Sequence, residues 1–130
     1  MKKIKLYTNI EKTRDQDNPH EEVEQRLTIT ANGHVTFNSS VYDNGSYRKG
    51  RKEEIDIPEE TVKEIFDHIE ALFADQPPYN ILPGYGMWEL SLINERNRNK
   101  QFFGATSGVY GDLTSFIARR VPIDHLLLFL

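Results

Sequence analysis

The sequence predicts an α+β fold: a twisted antiparallel sheet of about five or six strands, one long amphipathic helix packed on a face, and a shorter C-terminal helix. Three observations carry that expectation. Polar and apolar residues alternate over several short stretches. One apolar stripe with helical spacing runs from Val62 to Phe73. Turn sequences such as Asn32-Gly33 separate the alternating stretches.

Lys3 to Thr8 opens the chain as a strand, with Ile4 and Leu6 on one side. Glu11 to Glu22 carries Pro19 and almost nothing apolar, so it reads as a loop. From Glu22 onward, Val23, Leu27 and Ile29 share one parity and Glu22, Glu24, Arg26, Thr28 and Thr30 the other. After Asn32-Gly33 the alternation resumes with Val35, Phe37 and Val41. A two-residue loop there would set Ile29 opposite Thr36 and split the apolar rows between two faces. A three-residue loop closing Thr30 on His34 sets Ile29 opposite Val35 and Leu27 opposite Phe37. The parity therefore predicts a type I turn with Gly33 left-handed, forming a bulge.

A second turn follows at Tyr42-Asp43-Asn44-Gly45-Ser46, then a strand from Tyr47 to Ile57. Its thin apolar content and its charges suit the edge of a sheet. Pro58 opens the helix, Glu59 and Glu60 complement its dipole, and Pro77-Pro78 end it near Ala74. Val62, Ile65, Phe66, Ile69, Leu72 and Phe73 form its inward stripe. Asp75 to Gly86 is a loop, Met87 to Ile93 a strand, Asn94 to Asn99 a turn, and Gln101-Phe102-Phe103 the heart of a short strand. Gly104 to Gly111 reads as a flexible glycine-rich connection. Asp112 then caps a second helix to Arg120, with Leu113, Phe116 and Ile117 inward and Pro122 beyond its end. The tail, Ile123 to Leu130, is expected as a helical turn or a last strand, docked on its own molecule.

At 130 residues the chain has room for one core, and residues 1–130 are expected to form a single domain. Hydrophobic residues are 38% of the chain, enough to fill that core. The absence of cysteine excludes disulfides, thiolate metal sites and cysteine catalysis. Met1-Lys2-Lys3-Ile4-Lys5-Leu6 has a basic start, but no apolar stretch of leader length follows. The final apolar run from Leu126 is too short to span a bilayer. These features set a cytoplasmic location with no membrane partner as the expectation.

No reactive constellation emerges. The spacing of Gly104, Gly108 and Gly111 fits neither the dinucleotide fingerprint nor the P-loop, no lysine follows the last glycine, and Asp112 would repel an anion. Ser107 lacks the glycines of a nucleophile elbow. His20, His34, His68 and His125 lie too far apart for a metal pair, and His68 falls on the polar side of its helix. The chain is therefore expected to need no metal and no cofactor. The carboxylates from Glu53 to Asp75 read as a solvated face, with a docking surface for a basic partner as the functional alternative. Arg48-Lys49-Gly50-Arg51-Lys52 is basic, yet a net charge of −4 weighs against nucleic acid as the partner.

Pro77 to Trp88 is the most distinctive segment. Prolines limit its conformations and tyrosines supply amphipathic contact area, which suits recognition and equally suits a loop that buries its aromatics. Tyr79, Tyr85, Trp88, Ser107 and Tyr110 are the candidate binding residues. The expected function is a non-catalytic binding or regulatory role through protein contacts, with an unknown protein or a second copy as partner. The alternative is an enzyme or small-ligand carrier with its site between the Asp75–Gly86 and Gly104–Gly111 loops.

Overall fold

A computed structural model describes residues 1–10, 22–43, 45–75, 79–80, 86–106 and 108–129. The elements in chain order are β1 (Lys3–Asn9), β2 (Glu22–Thr30), β3 (His34–Asp43), β4 (Ser46–Asp56), α1 (Glu59–Phe73), β5 (Tyr79–Asn80), β6 (Met87–Ile93), β7 (Asn99–Ala105) and α2 (Gly111–Ala118). The strands form one twisted, open sheet in the order β4-β3-β2-β1-β6-β7-β5. All neighbours are antiparallel except β5, which pairs for two residues parallel to β7. The α+β class is as expected, with β4 at the sheet edge. The loop expected over Glu11 to Glu22 lies outside the described residues, except that Glu22 begins β2.

The β2–β3 turn follows from side-chain parity. Ile29 lies opposite Val35 and Leu27 opposite Phe37, so both apolar rows meet the core. Gly33 has φ +95° and donates its N–H to Thr30 O at 3.0 Å. A second reason for glycine is not visible in the sequence: a Cβ there would strike the carbonyl oxygen of Ile57. The Ile57 N–H in turn donates to Gly33 O at 2.9 Å, tying the turn to the entry of α1.

α1 covers one face of the sheet. Val62, Ile65, Phe66, Ile69 and Phe73 are buried against Ile4, Leu6, Ile29, Leu90 and Phe102. Each such side chain contributes about 1.5–3 kcal/mol of burial, which is what holds a short helix in place. Leu72, expected inward, is 37% exposed. Phe73 takes the inward position of the last turn, and its neighbour turns about 100° away from it.

Three further expectations need correction. β7 runs from Asn99 to Ala105, so Gly104 is a strand residue rather than part of a loop. It is paired with Trp88, and a Cβ at Gly104 would collide with the indole. α2 takes Tyr110 as its N-cap, and Asp112 makes no capping bond because it lies within the first turn. Phe116 is only half buried. His68 stacks on its ring at 4.2 Å and the Arg120 guanidinium lies 3.6 Å from its centroid.

The C-terminal run is docked without becoming helix or strand. Leu127, Leu128 and Phe129 are buried. His125 and Leu128 adopt left-handed φ of +54° and +49°, which folds the segment back on itself. Its backbone is held by side chains of the sheet. Gln25 Nε2 donates to His125 O at 2.7 Å, and Gln25 Oε1 accepts from the Leu127 N–H at 2.7 Å. Arg51 Nη1 donates to Asp124 O at 2.7 Å, and Thr8 Oγ1 donates to Leu128 O. These bonds satisfy carbonyl and amide groups that burial would otherwise leave unpaired.

Glu22 anchors this clasp. Arg51 grips it with Nε at 2.9 Å and Nη2 at 2.7 Å, and Gln25 Nε2 donates to it at 3.1 Å. The carboxylate was expected on the polar face with Glu24, yet Glu22 is only 1% exposed. A register shift between Glu22 and Glu24 turns it onto the covered face. Burial opposes its ionisation, but bonds from Arg51, Ser39 and Gln25 outweigh that and hold its pKa below the usual carboxylate value.

Candidate functional site

Helices and tail cover one face of the sheet; the other carries the alternate residues of every strand. On β1 these are Lys3, Lys5, Tyr7 and Asn9. Cross-strand pairing places Arg26 and Glu89 on either side of Tyr7, and Thr28 and Ser91 on either side of Lys5. Asn38 and Lys52 continue the Tyr7 row towards the β4 edge. Because Thr28 and Ser91 are short and Tyr7, Arg26 and Lys5 long, the centre of this face is a trough of about 380 Å³, walled by Tyr7, Arg26, Asn38 and Glu89.

The trough is walled by groups held in fixed positions. Tyr7 donates its hydroxyl to Glu24 and accepts from Asn9 Nδ2 at 3.1 Å. The Arg26 guanidinium lies 5.2 Å from the Tyr7 ring centroid and donates to Glu24 at 3.4 Å and Asn38 Oδ1 at 3.4 Å. Burial, reinforced by the bond to Glu24, pushes the Tyr7 phenol up to about 12, so it keeps its proton at neutral pH. The charges of the face are unevenly satisfied. Glu24 is engaged by Tyr7 and Arg26, while Glu54 and Asp56 both bind His34, at 2.7 and 3.0 Å. Hydrogen bonds that the protonated His34 ring donates to Asp56 and Glu54 raise its pKa. Lys5 and Lys52 are exposed, and among the described residues neither meets a carboxylate.

The opposite surface is more strongly acidic. Glu59, Glu60, Glu64, Asp67 and Glu70 are all exposed along α1, offset there by Lys63, which bonds Asp67 at 2.6 Å, and at Glu64 by Arg120. Among the described residues no group of His, Asp and Glu side chains is arranged to hold a metal ion. No helix among them is long and apolar enough to cross a membrane.

Of the residues singled out from the sequence, Trp88 and Tyr110 are brought together, with ring centroids 5.4 Å apart. They join Phe73, Phe102 and Phe129 in one aromatic cluster. Trp88 is 3% exposed and donates Nε1–H to Ala105 O at 3.2 Å, so its large ring fills the core. Tyr110 is half buried, and burial raises its pKa. Tyr85 and Ser107 lie outside the described residues, and of Tyr79 only the backbone, as part of β5, is described. Tyr7, Arg26 and Lys5 were read only as the polar parity of two strands. The signal available was a tyrosine and an arginine among short hydroxyl residues, but which strands adjoin β1 is a matter of topology.

Comparison with protein-family models and with curated proteins finds no match to this sequence.

Proposed function

We propose that this is a non-catalytic binding protein that docks an acidic protein surface on the open face of its sheet. The observation that carries this reading is the preorganised Tyr7–Arg26 pair at the centre of the face opposite the helices, where among the described residues Lys5 and Lys52 have no carboxylate partner. Tyrosine and arginine are the residue types that dominate binding energy in the middle of protein interfaces. Both are already locked here by Glu24, Asn9 and Asn38, so little side-chain entropy remains to be lost on binding. Six strands at about 4.8 Å spacing and seven residues at about 3.3 Å give a face of roughly 600 Å². A standard interface takes about 800 Å² from each partner. Lys5 and Lys52 favour carboxylates opposite them, and the acidic α1 surface disfavours the same partner on the other side.

Glu89 on the binding face and the net charge of −4 favour a protein over a nucleic acid. The cytoplasm is kept as its compartment, the expectation that a cysteine-free, charge-rich chain sets. The test uses the whole protein as bait in extracts of the cells that make it. A partner held by wild type and by Glu60→Lys/Glu64→Lys, but lost with Lys5→Glu/Arg26→Glu, supports the docking face. Loss with the α1 variant instead, or micromolar salt-sensitive binding to random single-stranded DNA, contradicts it.

A further inference from the structure

A second concavity lies on the covered face, where α1 ends before the sheet does. Leu90 and Phe102 are fully covered, whereas Leu92, one step further along β6, is only half buried beside Lys100. The uncovered strip is a cleft of about 290 Å³ between the last turn of α1 and the β6–β7 turn. That is the lower end of the size range of small-molecule sites. Its floor is apolar, formed by Phe73 and Leu92. One wall carries Arg98 and Lys100; the other carries Glu70 at the C-terminal end of the helix.

The cationic wall is rigidly mounted. The Asn94 N–H donates to Arg98 O at 3.0 Å, and Asn94 Oδ1 accepts from the N–H groups of Arg96 and Arg98 at 2.9 and 3.0 Å. Asn97 holds a left-handed φ of +60° and accepts from Lys2 Nζ at 2.7 Å. Among the described residues no carboxylate pairs with Arg98 or Lys100; the Lys100 ammonium sits 5.4 Å from the Phe102 ring centroid.

A ligand with only an anionic head would satisfy one wall and be opposed by the other, since Glu70 and the negative end of the α1 dipole repel it. A zwitterion with an apolar side chain meets both walls and the floor. We propose that this cleft binds a free apolar α-amino acid, its carboxylate on Arg98 and Lys100, its ammonium towards Glu70, and its side chain on Phe73 and Leu92. The site is separate from the docking face, so either can fail without the other.

Calorimetric titration of the whole protein with L-leucine and L-phenylalanine tests it. Saturable binding of at least one is expected. N-acetyl-L-leucine and isoamylamine each lack one charge, and should bind at least about tenfold more weakly, the loss of a charged hydrogen bond. Arg98→Gln and Glu70→Gln should each weaken binding by a similar factor, whereas Lys5→Glu on the opposite face should leave it unchanged. Three results overturn the proposal: no binding of either amino acid at about 10 mM, which is weaker than roughly 3 kcal/mol; equal binding of the N-acetyl derivative; or binding indifferent to Arg98→Gln.

Discussion

Glu22 and Glu24 stand two residues apart at the start of β2, and each carboxylate is held by an arginine, yet the two pairs lie on opposite faces of the sheet. Glu22 faces the covered side at 1% side-chain exposure and is gripped twice by Arg51. Glu24 faces the open side at 10%, with an Arg26 that is itself 45% exposed. The first pair organises the chain: through Gln25 and Arg51 it holds the backbone of the C-terminal segment. The second organises a surface, fixing Tyr7 and Arg26 at the centre of the trough. One strand thus carries both a folding device and the pair we propose for recognition, separated by a single register shift.

The contrast breaks most easily at Arg51. Arg51→Ala should cost about 3 kcal/mol, because it leaves a carboxylate buried without its partner. Urea unfolding measures the loss, and faster exchange of the Leu127 amide should accompany it. A cost as small as that of a surface pair would mean the clasp is wetter than its geometry implies.

pH separates the two pairs next. Glu22 has a folded pKa below its ordinary value of 4.5, so its stabilisation is present above that value and lost as pH falls through the lowered one. Tyr7 is raised from 10.0 to about 12, so its contribution is present below 10 and lost as pH rises towards 12. Acid below the lowered Glu22 value should therefore loosen the tail, and alkali towards 12 should disturb Tyr7. Proton-resolved spectra of Leu127 and Tyr7 across both ranges distinguish the two. The smallest effect belongs to Arg26→Ala: its guanidinium is 45% exposed and 3.4 Å from Glu24, which keeps its bond from Tyr7, so stability should change by about 1 kcal/mol or less. A larger loss would make the outer pair a folding device as well.

Periodicity in the sequence carried most of the sheet and both helices, and parity alone settled the Asn32-Gly33 turn. What it missed has one physical source: contacts between residues distant in the chain. Glu22 reads as an outward residue until Arg51 and Gln25 are placed beside it. Gly104 reads as loop until Trp88 lies across it. Leu72 matches the helical stripe, but the last turn has room inward for Phe73 only. The apolar tail was expected to dock, and it does; that one side-chain amide, a hydroxyl and a guanidinium would hold its backbone was not visible in Leu126 to Phe129 themselves. The candidate face was legible only as polar alternation, since a trough needs the order of four strands.

The proposed division between a covered face that folds and an open face that binds is tested most directly by lysine acetylation of the free protein and of its complex with the captured partner. Lys5 and Lys52 lie on the open face, and Lys63 on α1 provides the internal comparison, its side chain 75% exposed. The account predicts that the partner protects Lys5 and Lys52 and leaves Lys63 as reactive as before. Protection of Lys63 with Lys5 and Lys52 unchanged would contradict it.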